Sequence, residues 1–298
     1  MRAELTEAAA LLREKDAESI GKAIGLLQET VFAFSMKVCG HREDAEDTMQ
    51  EVLMRSLPHL GKIDDARALS VWLYTVAKNR CLRMRRKGAH APRQTLSLDE
   101  LMPGEADLER LLRDGGAGPE EQLLEGEQGK LVHKAVLTLP AHYRIVLVLH
   151  DMEDLDTEQV ARVLGLQSGT VRVRLHRARL GVRKAMAQLL EGLPEPVVSS
   201  GKKRKARRKS VAQARPAECR EIFASLSEVL DNQMPEPKCD QMRKHIEACP
   251  ACVAFLRDLQ AAIDRCRNLE VPCDSDMAPR LRSLLVTEYL RLIRQPVG

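Results

Sequence analysis

The sequence predicts an all-α protein of several small domains, and three observations predict it. Aromatic residues make up only 3% of the chain, with a single Trp. Leu, Ala, Arg and Glu dominate, and such side chains lose little rotamer freedom in a helix. Apolar residues recur at helical spacing through most of the chain, while 298 residues exceed what one small core takes up. No internal repeat is visible.

Charge is unevenly placed along a chain whose formal net charge is only +4. A basic block runs from Arg83 to Lys87, an acidic stretch from Asp99 to Glu127, and Arg-rich and Lys-rich segments from Arg172 to Lys209. Such asymmetry suits a nucleic-acid partner. No run reaches the roughly 18 apolar residues that a membrane helix needs, and the N-terminus mixes acids with bases, so a cytoplasmic protein without membrane attachment is expected. Five of the eight cysteines fall between Cys219 and Cys266, grouped with a His; in a cytosolic chain that clustering reads as metal binding before disulfides.

Composition divides the chain into five parts. Residues 1–87 are a first helical domain. Residues 88–129 turn acidic and collect Pro103, Gly104, Gly115, Gly116, Gly118 and Pro119, which predicts a flexible linker with one short helix at Leu108 to Leu112. Helical periodicity returns over 130–192. Residues 193–216 contain the self-repelling run KKRKARRK and read as a second, basic linker. Residues 217–298 form a Cys/His-containing helical region that ends in an amphipathic stretch, Met277 to Ile293.

In the first domain, Ala45, Met49, Val52, Leu53 and Leu57 share one side of a helix, and Asp44, Asp47 and Glu51 the other. An interruption is expected at Pro58 and Gly61. A second helix follows, LSVWLYTVAKNRCLRMRRK, with Trp72, Leu73, Val76 and Ala77 as an apolar stripe and a basic tail. This order resembles region two of the extracytoplasmic-function (ECF) sigma factors of bacterial RNA polymerase, a pattern matched by Asp44, Ala45, Glu46, Asp47, Gln50, Glu51, Trp72, Leu73, Tyr74, Ala77 and Asn79. The resemblance implies that the acidic helix, through Asp44, Asp47, Gln50 and Glu51, docks on the clamp helices of the polymerase β′ subunit. The later helix and the loop before it would read and melt the minus-ten promoter element, with Asn79, Arg80, Arg83, Arg85 and Arg86 on the nucleic acid, since cations supply much of the affinity for a melted strand. Bases extruded there need aromatic rings to stack on. Only Trp72 and Tyr74 are at hand, and Trp72 reads as a core residue.

In the second domain, Asp156 followed three residues later by Gln159 fits an N-cap with its capping-box partner. Gly165 fits a left-handed helix end. After a short turn the chain SGTVRVRLHRARLGVRKAM forms another helix with Val171, Leu175, Ala178 and Val182 on its apolar stripe, giving a helix-turn-helix. Arg172, Arg174, His176, Arg177, Arg179 and Arg183 surround the rest of its surface, able to face a major groove and its phosphates. The segment G-T-V-R-x-R-L-H-R-A-R is similar to sigma region four, and Leu139, Pro140, Tyr143, Arg144 and Leu149 match that region's preceding helix. The resemblance implies that Thr170, Arg172, Arg174, His176, Arg177 and Arg179 bind the minus-thirty-five element while neighbouring surfaces hold the β-flap tip. His150 reads as structural.

In the third region, HIEACPAC brings His245, Cys249 and Cys252 together as H-x-x-x-C-x-x-C, three donors at one point. A structural Zn2+ wants a fourth, which Cys219 or Cys239 could supply. The string from Cys219 to Cys252 resembles the zinc-binding anti-sigma fold, whose first ligand opens its first helix; that resemblance favours Cys219. It also implies that the terminal stretch with Leu281, Leu284, Leu285, Tyr289 and Leu292 either packs between regions two and four or completes its own domain's core. The expected protein is therefore a sigma factor, not an enzyme, that binds core RNA polymerase and promoter DNA. Its fused zinc domain is expected to touch and regulate the sigma modules. A helix-turn-helix regulator acting alone would leave the match from Asp44 to Lys87 unused, and a zinc enzyme would need an open coordination position that four protein donors close.

Overall fold

The computed structural model describes residues 2–61, 63, 65–85, 96–113, 125–191, 230–231, 244, 249–274 and 277–294. Every regular element among the described residues is helical: α1 (Ala3–Glu14), α2 (Ala17–Cys39), α3 (Arg42–Leu60), α4 (Ala66–Arg85), α5 (Leu98–Leu101), α6 (Glu105–Arg113), α7 (Glu125–Thr138), α8 (Ala141–Leu147) running on into a π-helical turn (Val148–Met152), α9 (Thr157–Leu164), α10 (Ser168–Leu190), α11 (Pro250–Arg267) and α12 (Met277–Arg294). The chain forms two compact units. The first comprises residues 1–90, 148–168 and 270–298, and the second residues 91–147 and 169–269.

The first unit is built around α2. Asp16 starts this helix, its carboxylate accepting hydrogen bonds from the Glu18 and Ser19 amides at 3.0 and 2.9 Å, which satisfies donors that a helix start leaves open. Gly40, at φ 80°, ends it and returns its N–H to Met36 O. Between these caps Ile20, Ile24, Leu27, Val31, Phe34 and Val38 are buried, and α1, α3, α4 and α12 pack around them. The stripe expected on α3 is the buried one: Ala45, Met49, Val52, Leu53 and Leu57 have almost no exposure. The interruption expected at Pro58 and Gly61 falls at Gly61, the C-cap residue of α3, and not at Pro58. The helix runs through Pro58 to Leu60, because a proline this near the end removes one helical donor and the chain stops two residues later anyway.

A buried polar centre lies in the same unit. Glu153, just after the π turn, is fully buried, with its carboxylate 2.9 Å from Lys37 Nζ and 2.9 Å from Arg2 Nε. Tyr74 OH donates to it at 2.7 Å. Lys37 is equally buried, and burial holds its ammonium pKa below the ordinary lysine value despite the carboxylate beside it. Burial first, and then Glu153, pushes the Tyr74 hydroxyl well up. Charges removed from water this completely persist only when paired and hydrogen-bonded.

The second unit contains α5 to α8, α10 and α11. Arg144 on α8 donates to Leu137 O at 2.6 Å and Leu139 O at 2.8 Å, covering the carbonyls at the end of α7. Val171, Leu175, Ala178 and Val182 of α10 are all buried, as their spacing predicts. At Gly181 a methyl group would come within 2.7 Å of Leu139, so the absence of a side chain sets how closely the chain packs there. The segment expected to be a flexible linker departs from expectation where it is described. Residues 96–113 carry α5 and α6, Leu96, Leu101 and Leu111 are buried, and α6 packs on α11. Leu96 and Leu101 lie beside Gly181 of α10, whereas α6, which carries Leu111, is covered by α11, more than 130 residues later.

Removing one partner of a buried ion pair strands the other, at a cost of about 3–5 kcal/mol. Glu153→Ala is expected to destabilise the first unit by that amount, read as a lower urea midpoint with Tyr and Trp fluorescence as probe. An unchanged midpoint would mean that the carboxylate is not the centre of this core.

Candidate nucleic-acid interface and metal site

The helix-turn-helix forms through the local signals read from the sequence. Asp156 Oδ1 accepts from the Gln159 amide at 2.8 Å, and Gln159 Oε1 accepts from the Asp156 amide at 2.9 Å, a complete capping box. Gly165 ends α9 at φ 65°, a conformation that costs a glycine little. Leu166 N–H then bonds Ala161 O at 3.0 Å.

The basic residues of α10 divide into two groups. Arg172 is exposed, and Thr170, Arg174 and Arg177 are half-buried with Arg177 reaching Tyr143 OH at 3.4 Å. The expectation that His176 and Arg179 also face a groove is not met, since both are buried. Arg179 makes a two-pronged ion pair with Asp231, each N–O distance 2.8 Å. Arg183 is likewise buried, its Nε on the Asp258 carboxylate and its guanidinium 4.8 Å from the centre of the Phe255 ring. Helical periodicity could not show this, because both carboxylates come from the C-terminal region. Pairing by a planar fork is what a guanidinium does best.

On α3, Asp47 and Gln50 are exposed, while Asp44 and Glu51 are half-buried. Glu51 holds Arg55 at 2.8 Å and Arg80 at 2.7 Å, so an acid expected to meet polymerase and a cation expected to meet DNA here hold each other. Asn79 is exposed. Arg83 and Arg85 belong to α4, but their side chains, like the whole of Arg86, lie outside the described residues. The expectation of Trp72 as a core residue is not met. Tyr74 is the core ring, packed on Phe34 at 5.0 Å, whereas Trp72 is half-buried beside His59 at 5.4 Å. The Tyr74 hydroxyl finds its partner inside, on Glu153. Lys78 Nζ donates to Val163 O at 2.8 Å, fastening α9 to α4.

Helix α12 lies on α2 and α3, in part through residues that the sequence does not single out. Gln28, fully buried, donates to Ala278 O at 3.0 Å and accepts from Arg282 Nε at 3.0 Å. A methyl group at Gly25 would stand 3.0 Å from Arg282 Cζ, and one at Gly21 would meet Val286 at 3.9 Å. The G-x-x-x-G spacing was the available signal: two bare positions one turn apart let a second helix approach. Leu281, Leu285 and Tyr289 are buried, but Leu284, expected on the same stripe, is 67% exposed, since α12 contacts with period four and Leu284 falls one position short. Arg42 adds an exposed ion pair to Asp274 at 2.9 Å.

Of the expected metal ligands, Cys249 is the N-cap residue of α11 and Cys252 lies buried in its first turn. Cys219 and His245, together with the alternative Cys239, lie outside the described residues. Among the described residues no three His, Cys, Asp or Glu side chains converge as a metal site. Both described cysteines of the expected set stand at the start of α11.

Three family profiles match separate stretches of the chain: Sigma-70 region 2 over residues 24–90, Sigma-70 region 4 over residues 130–180, and a putative zinc-finger over residues 219–252. Among curated proteins, the ECF RNA polymerase sigma factor SigW of Bacillus subtilis is 26% identical over 182 residues, covering 60% of this chain and 94% of SigW. The RNA polymerase sigma-H factor of Pseudomonas aeruginosa is 29% identical over 164 residues, 55% of this chain and 83% of its own length. A probable RNA polymerase sigma factor, RfaY of Xanthomonas campestris, is 29% identical over 173 residues, 57% of this chain and 41% of its own.

The seat of α12 can be tested in the full chain. Gly25→Leu is expected to displace α12, so that amides of residues 277–294 lose protection in hydrogen exchange by at least about tenfold, while Gly21→Ala, whose added methyl meets only ordinary contact, leaves them protected. Equal protection in both variants would show that α2 is not the surface holding this helix.

Proposed function

We propose that this chain, which belongs to the sigma-70 family and to its extracytoplasmic-function sigma factors, acts as the promoter-recognition subunit of RNA polymerase and is regulated by its own C-terminal region. The observation that carries the reading is the division of α10: Arg172 outward, Arg179 and Arg183 tied inward to Asp231 and Asp258. An outward cation on the second helix of a helix-turn-helix suits the edges and phosphates of a major groove. Cations bound to carboxylates of the chain itself are withheld from phosphates.

The same logic extends to polymerase. Asp47 and Gln50 on α3 offer an exposed polar face for the clamp helices, while α12 occupies another side of α2 and α3. Its supports in this reading are Gln28, Arg282 and the bare positions Gly21 and Gly25. A bound zinc ion would be held by Cys219, His245, Cys249 and Cys252, and would supply a structural crosslink in place of a large apolar core. Cys249 and Cys252 open α11, the helix carrying Asp258 and Phe255, so loss of the metal would loosen the partners of Arg183.

Run-off transcription with core polymerase separates the parts of this reading. A chain ending at Ser200, and the full chain with Asp231→Asn and Asp258→Asn, are expected to give at least about threefold more transcript than the unaltered chain, with Cys249→Ser shifting the same way. Equal yields from all forms would remove the regulatory role; no transcript from any would remove the sigma role. For the polymerase face, Asp47→Lys with Gln50→Lys is expected to weaken core binding about tenfold, near 1.4 kcal/mol, at unchanged thermal stability. Unaltered affinity at matched salt would place the docking surface elsewhere.

A further inference from the structure

Val173 is 54% exposed on α10, whereas Val171, Leu175, Ala178, Leu180 and Val182 of the same helix have at most 1% exposure. A β-branched residue is a mediocre helix former, and with its side chain in water Val173 gains little by burial, so neither term accounts for its presence. Its surroundings do. Arg172 beside it is exposed, and Gly169, one turn earlier on the same strip, is exposed too. A methyl group built at Gly169 would find nothing within 4 Å. Gly169, Arg172 and Val173 thus form one strip in the first two turns of α10: bare backbone, a planar cation and a pair of methyl groups.

The first turns of the second helix are where helix-turn-helix proteins touch base edges. In a major groove, the apolar feature on a base edge is the C5 methyl of thymine, and the bidentate acceptor for a guanidinium is guanine O6 with N7. From the proposed promoter binding, on which this inference rests, we infer that Val173 is a specificity-determining residue that recognises a thymine in the upstream element through its C5 methyl, next to a base contacted by Arg172. Gly169 permits the approach, because a side chain at that position would stand between the helix and the groove wall. Val173 gives apolar contact to one base and rejects a cytosine in its place, whose unmethylated edge presents an amino donor that the isopropyl group cannot satisfy.

The test uses polymerase holoenzyme formed with the full chain, and duplex sites selected by it from a randomised upstream pool. Each thymine of the selected element is replaced in turn by deoxyuridine, which removes the methyl group alone. One replacement is expected to weaken binding about fourfold, the worth of one methyl group taken out of water. Val173→Ala should bind the thymine and uracil duplexes equally, and Arg172→Ala, weaker overall, should keep the distinction. Indifference of the unaltered holoenzyme to every replacement, or a distinction that survives in Val173→Ala, would overturn the assignment while leaving promoter binding in place. Failure to enrich any upstream element would overturn both.

Discussion

Much of the first unit depends on one carboxylate. Glu153 meets a lysine from α2, an arginine from the chain's start and a tyrosine from α4, elements far apart in sequence that meet at its two oxygens. Lys37 and Tyr74 lie in the stretch matched as sigma region 2, and Glu153 in the stretch matched as region 4. Compact folding therefore does not follow the boundaries of sequence similarity: residues 148–168, with α9, share a core with α1 to α4. Hydrophobic burial would favour many arrangements of amphipathic helices, whereas a buried charge with three designated partners favours one.

What could be read from the sequence was what neighbours in the chain decide. The capping box at Asp156 and Gln159, the glycine stop at Gly165 and the stripes on α3 and α10 each rest on residues within a few turns of one another. That Tyr74 is the buried ring and Trp72 only half-buried is not visible locally, because ring exposure depends on distant partners. Pro58 does not break α3, since the cost of a proline depends on how much helix remains. His176 and Arg179 looked available because a helical wheel shows which side a residue takes, not what will cover it. The H-x-x-x-C-x-x-C spacing marks Cys249 and Cys252 in the sequence, and both stand at the start of α11; Gln28 and Val173 carry no such local mark and Gly21 and Gly25 only their spacing, each being unremarkable until a second helix or a solvent-facing surface gives it meaning.

The guanidinium groups of α10 illustrate how one residue type supports two chemistries on a single helix. Arg179 and Arg183 contribute to the second unit through fork geometry and ring contact, which lysine would not reproduce. Arg172, outside that packing, remains a surface cation whose interactions weaken with salt. The buried pairs are shielded from such screening, so ionic strength acts unequally along the helix.

The π turn before Glu153 has a consequence for the length of the chain. Glu153 N–H bonds Val148 O, five residues back, at 2.9 Å, and Leu155 N–H bonds Leu149 O at 3.1 Å, so this stretch accommodates one residue more than an α-helical turn would. Loss of a single residue here, with the π turn retained, would move Glu153 back one position and swing its carboxylate by about 100° around the axis, away from Lys37. Insertions and deletions are usually absorbed by loops. At this point the count of residues is itself part of the core.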